Sequence, residues 1–147
     1  MAERPTEMDD FLLGPRMARI ATINANSTAH MVPVVYIFDP EDGSFFISTG
    51  ANSVTVRNLK RNPSLTICVD DDEHPFRAVI VEGEPEISEP LGTDHEGLKL
   101  VVDHYYHPGM WADWVNTPSA ESHSTNVSHS RLPCSPSLRM IASGIPK

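Results

Sequence analysis

Cysteine is scarce in this chain, basic charge is outnumbered by acidic, and no apolar run is long. Of 147 residues only Cys68 and Cys134 are cysteine, too few for a disulfide framework. Cys68 lies in an alternating run and Cys134 in a Ser/Pro-rich stretch, so both read as free thiols. Eleven Lys and Arg stand against twenty Asp and Glu, a net charge of −9. That balance excludes the phosphate backbone of nucleic acid and an anionic membrane surface as natural partners, because both reward clustered cations. The N-terminal MAERPTEMDD has no apolar signal core, and nothing approaches the ~20 residues of a membrane-spanning helix, so a cytoplasmic protein is expected. A glycine-rich phosphate loop, a nucleophile elbow and a paired-cysteine zinc motif are all missing.

What is present reads as one mainly β domain. TEMDDFLL (6–13) is expected as a short helix capped by Thr6 and stopped by Gly14-Pro15. ARIATIN predicts a strand, ANSTA a polar turn, and Met31 to about Phe38 a second strand, in which Pro33 implies an edge position. DPEDG closes a hairpin onto SFFIST. In SLTICVD, Leu65, Ile67 and Val69 alternate with polar or small residues, the mark of a strand with one buried face. RAVIVEGEPEIS supplies one or two more strands with a bend at Gly83, and the acidic run Asp70–Glu73 reads as a solvated turn. From Thr93 the period becomes helical, with Leu98, Val101, Val102 and Tyr105 at i, i+3, i+4, i+7. Six or so short strands in hairpin-like order with two or three helices fit a small antiparallel barrel. The domain spans 1–115, and 116–147 reads as a Ser/Pro-rich tail of uncertain order with little apolar pattern.

One stretch gathers unusual chemistry. STGANSVTVRNLKRNP (48–63) predicts a helix over 53–62, capped by Asn52 or Ser53 and ended by Pro63. Val56 and Leu59 would face inward, with Arg57, Lys60 and Arg61 toward water. A helix start exposes unpaired N–H groups and a positive dipole end. Thr49, Asn52, Ser53 and Thr55 add donors there, so a phosphate fits, although capping alone also explains these hydroxyls. His104 and His107, with Asp103 and His95 near, have metal-like spacing but lack further ligands, and no metal is expected.

Taken in order, R-I-A-T, P-V-V-Y, T-x-x-x-S, R-N-L-x-x-N-P and V-E-G-x-P, spread over residues 10–112, resemble the pyridoxamine 5'-phosphate oxidase-like, FMN-binding split β-barrel family. The resemblance is closest to its branch of reductases using the deazaflavin coenzyme F-420. It implies a six-stranded antiparallel split barrel forming a homodimer with cofactor sites at the interface. It further implies that Thr49 and Ser53 contact a cofactor phosphate, with Thr55 and Arg57 beside them. Val32, Pro33 and Val34 would offer backbone to the cofactor ring, with Tyr36 close by. Asn58 and Pro63 would be structural, and Phe76 and Arg77 would lie where the partner subunit approaches. The implied activity is hydride transfer from reduced F-420 to a small molecule. An FMN-dependent oxidoreductase, a non-enzymatic flavin or haem binder and a structural dimer with a vestigial site are the alternatives. Two departures stand out. Thr55 occupies the place of the family's usual lysine. The Ser/Pro/His tail replaces the family's final strand, which points to a shifted reading frame after about Thr117, an idea that resequencing the coding DNA tests.

Overall fold

The computed structural model describes residues 5–41, 43–50, 52–87, 127–132 and 139–142; the expected late helix, its histidines and Cys134 lie outside them. Helix α1 (Thr6–Leu13) opens differently from expectation. Pro5, not Thr6, stands at the N-cap, and its carbonyl accepts from Met8 and Asp9 N–H at 3.0 and 3.4 Å. Proline's fixed φ sets the entry without a side-chain cap. Met8, Phe11 and Leu12, at i, i+3 and i+4, form the buried stripe.

Strands β1 (Ala18–Ile23) and β2 (Ala29–Val34) form a hairpin whose turn places Ser27 at φ 67° and closes with Asn24 N–H on Thr28 O at 2.9 Å. The single strand expected from Met31 to Phe38 is two strands. After β2 the chain passes Val35 and enters β3 (Tyr36–Asp39) in a second sheet. β3 turns at Gly43, whose φ of 69° suits glycine, into β4 (Ser44–Gly50). Helix α2 (Val54–Arg61) follows, then β5 (Leu65–Asp70), β6 (Arg77–Gly83) and the two-residue β7 (Glu86–Ile87). Gly83 ends β6, and Pro85 precedes the step into β7. Two strands arise from the segment expected to lack one, β8 (Val127–Leu132) and β9 (Arg139–Ala142). Their ladders are made by backbone groups, so the weak apolar pattern of this segment does not prevent pairing.

The described strands form two antiparallel sheets, ordered β2-β1-β5-β6-β9 and β3-β4-β8-β7. Pro33 sits on β2, an edge, as a residue without an N–H requires. The two sheets and α1 share one apolar core: Leu12, Ile20, Tyr36, Phe45, Ile47, Ile67, Val69 and Val79 are all at most 2% exposed. Each such aliphatic side chain contributes about 1.5–3 kcal/mol by leaving water. The result is a mainly β fold with two described helices.

Candidate functional site

Helix α2 begins where sequence chemistry places it. Ser53 is extended (φ −67°, ψ 159°), and its Oγ accepts from Val56 N–H at 3.2 Å. The Ser53 N–H donates to Gly50 O at 2.9 Å, which folds the end of β4 back onto the helix start. Thr49 Oγ1 comes to 3.5 Å from Ser53 Oγ. Because Ser53 Oγ acts as acceptor toward Val56, its own proton is free to point outward. The N–H groups of Val54 and Thr55 have no acceptor among the described residues. No carboxylate lies in the first turn, whereas Lys60 and Arg61 occupy the last. The positive dipole end is therefore unneutralised, and the Ser53 hydroxyl and two N–H groups, beside a Thr49 hydroxyl that donates to Ser53 Oγ, suit a phosphate.

The helix is pinned from below. Asn58 is 3% exposed. Its Nδ2 donates to Thr22 Oγ1 and Asn24 Oδ1, both at 3.0 Å, and its Oδ1 accepts from the Arg61 guanidinium at 2.8 Å. Arg61 also donates to Ile23 O at 2.9 Å. Arg61 is exposed, as expected, while one guanidinium nitrogen also reaches the β1–β2 hairpin. Val56 and Leu59 are buried as the helical period requires.

The residues singled out by the resemblance divide into four groups. Thr49 and Ser53 are brought together. Val32, Pro33 and Val34 line the edge strand β2, with Val32 and Val34 packed against the core and Pro33 exposed; no hydrogen bond joins them to the helix start. Tyr36, expected close to a cofactor ring, points into the core of its own chain. It is 1% exposed, its hydroxyl donates to Leu12 O at 2.9 Å, and its ring packs on Phe45 at 5.5 Å. A strand residue's face is set by what packs on it, and here that is α1. Thr55, 3% exposed, is also turned inward, leaving its N–H rather than its hydroxyl at the helix start. Arg57 is exposed, and its guanidinium makes no hydrogen bond or ion pair among the described residues.

The acidic run Asp70–Glu73 is not merely solvated. Asp71 accepts from Arg16 Nε at 2.7 Å and from Arg77 at 2.8 Å, and both guanidinium groups lie over the Phe11 ring. The Arg16 hydrogen bond, followed by that from Arg77, holds the Asp71 carboxyl below the usual carboxylate range despite partial burial. Arg19 pairs with Asp70. Arg77, expected near a partner subunit, is thus engaged within its own chain, while Phe76 is 37% exposed. Spacing gave no hint of this clamp, because Arg16 lies 55 residues from Asp71. An open groove of about 800 Å³ runs beside the clamp. It includes neither β2 nor α2 residues, and its arginines are paired, so the helix start remains the better ligand site. Burial, with Asp70 adding, pushes the Cys68 thiol up, so it is not a reactive thiolate. Among the described residues no group of three or more His, Cys, Asp or Glu is placed to hold a metal, and no helix is long and apolar enough to cross a membrane.

Two antiparallel sheets and a helix start suited to an anion define a small, mainly β protein. The chain belongs to the pyridoxamine 5'-phosphate oxidase family, whose profile matches residues 5–124. Solved structures of similar fold include a conserved hypothetical protein from Mycobacterium tuberculosis, 23% identical over 97% of this chain and 86% of that one, with a TM-score of 0.70. An F-420 reductase is 20% identical over 86% of this chain and 93% of its own, TM-score 0.66. HutZ, the haem storage protein from Vibrio cholerae, is 15% identical over 94% of each chain, TM-score 0.60. At these identities the likeness is one of fold.

Proposed function

We propose that this chain is an oxidoreductase that passes a hydride from reduced coenzyme F-420 to an unsaturated small molecule, acting in the cytoplasm as a homodimer built on a six-stranded split barrel. The observation that carries this reading is the meeting of Thr49 and Ser53 at a helix start whose Val54 and Thr55 N–H groups lack acceptors. Family membership and a fold shared with an F-420 reductase support it.

In this reading the hydroxyls of Thr49 and Ser53 and the two N–H groups hold the phosphate. Arg57 brings the charge that Thr55 does not. The edge strand Val32-Pro33-Val34 offers a largely apolar ledge for the ring. When bound, the deazaflavin supplies the hydride chemistry itself. The chain's contribution is to orient, and solvent provides the completing proton, since Tyr36 is committed to Leu12.

A second reading, an FMN enzyme or a non-catalytic flavin or haem carrier, is favoured by the buried, uncharged Thr55 and by the fold shared with HutZ. Fluorescence titration of the purified chain with oxidised F-420, beside an identical titration with FMN, separates them. Saturable binding of F-420 alone supports the reductase. Tight FMN binding moves the protein to the second reading, and binding of neither at tens of micromolar removes the site.

A further inference from the structure

Between the phosphate end of the site and its strand end runs a partly buried polar connection, and Asn58 is its centre. Ser53 lies five residues before Asn58, about 7.5 Å along the helix at 1.5 Å per residue. Asn58 has both amide protons donated, to Thr22 and Asn24, and its carbonyl accepts from Arg61, which reaches Ile23 as well. All of the hairpin partners belong to β1 or the first residue of its turn. β1 is in turn locked to the edge strand, with Ile20 opposite Val32, Arg19 opposite Pro33 and Ala18 opposite Val34. Val56 and Leu59 also hold α2 down, but apolar burial is non-directional and tolerates sliding. The hydrogen bonds do not: a shift of α2 along the hairpin would break them together and strand buried polar groups.

We infer that Asn58, locked by Arg61, is a positioning residue that sets the separation between the phosphate-binding helix start and the β2 edge. This rests on the reading of the α2 start as a phosphate site. Asn58 touches no ligand; it acts through the helix it anchors. The consequence is that the network governs how much a phosphate group adds to binding once the ring is seated, rather than how well the ring alone binds.

The test uses probe pairs that share a ring and differ in the phosphate-bearing tail: FMN against riboflavin, and oxidised F-420 against its phosphate-free deazaflavin chromophore. The readout is the ratio of the two dissociation constants within whichever pair the wild type holds. Asn58→Leu removes the amide, and Arg61→Met, at a surface position less prone to misfolding, removes the lock. Lys60→Met removes one neighbouring charge without touching the network. Asn58→Leu and Arg61→Met are each expected to lower the ratio about tenfold, as losing one good phosphate contact would. Affinity for the phosphate-free probe should stay within about twofold, and Lys60→Met should leave the ratio in place. An unchanged ratio in both network variants alongside a lowered melting temperature overturns the inference and leaves Asn58 merely structural. An equal fall in Lys60→Met overturns it in favour of a general charge effect. A wild type that shows no preference for the phosphate-bearing member of either pair refutes the site reading itself, and this inference with it.

Discussion

Replacing Tyr36 by phenylalanine removes one oxygen from a side chain that is 1% exposed. The ring keeps its packing on Phe45, so the change falls on the hydroxyl that donates to Leu12 O at 2.9 Å. Leu12 lies in the last turn of α1, where carbonyls have no partner further along the helix. Without the tyrosine, that carbonyl is left buried and short of a donor, at a cost of about 1–2 kcal/mol. For a chain of this size the loss corresponds to a fall of about 2–8 °C in Tm. Thermal melting followed by circular dichroism reads it, and cofactor titration of the same variant reads the site. The expected outcome is a lower Tm with binding and turnover retained. A Tyr36→Phe chain that melts with the wild type yet loses turnover would refute the reasoning, because the hydroxyl would then be serving substrate rather than α1.

The Asp71 clamp and the C-terminal strands make further predictions. Asp71 has its folded pKa below the unfolded carboxylate value of about 3.9, so its contribution is present above that pH and lost as pH falls through the lower folded pKa. With its side chain 21% exposed, Asp71→Asn should cost about 1 kcal/mol at pH 7, and urea melts should show the difference from wild type shrinking as pH falls below about 4; a constant difference on acidification would rule out the ion pairs as its source. Ending the chain at Asn126 removes β8 from between β4 and β7, and β9 from beside β6. Bare ladder edges promote association, so light scattering should detect aggregation, and a soluble, cooperatively melting truncation would show that those strands contribute little.

Features fixed by neighbours in the chain were readable in advance. Ser53 as cap, Val56 and Leu59 as the inward pair, the glycine turn at Gly43 and the alternation of Leu65, Ile67 and Val69 all follow from local chemistry, and Pro33 could announce an edge because proline has no N–H to give. Features fixed by distant partners were not. Nothing in Tyr36-Ile-Phe tells that the chain has changed sheets at Val35, since only the pairing partner changes, from β1 to β4. Arg61 faces solvent as read, but nothing local tells that Ile23, 38 residues away, also supplies it an acceptor. Val127–Leu132 hides as a strand because its ladder is built by backbone and its apolar alternation is slight. At the candidate site, the helix start and the gathering of Thr49 with Ser53 were legible from hydroxyls and a proline stop, whereas the burial of Tyr36 was not, because the face it buries is decided by α1.

The most direct measurement is the affinity of Ser53→Asp for whichever of F-420 and FMN the wild type binds. Aspartate caps a helix about as well as serine, so the fold and Tm should be kept while a carboxylate now meets the phosphate. The account predicts a loss of about a hundredfold or more in affinity with Tm nearly unchanged, since like charges at a desolvated contact cost several kcal/mol. Unaltered affinity in a well-folded Ser53→Asp chain would contradict it, and would place the phosphate away from the start of α2.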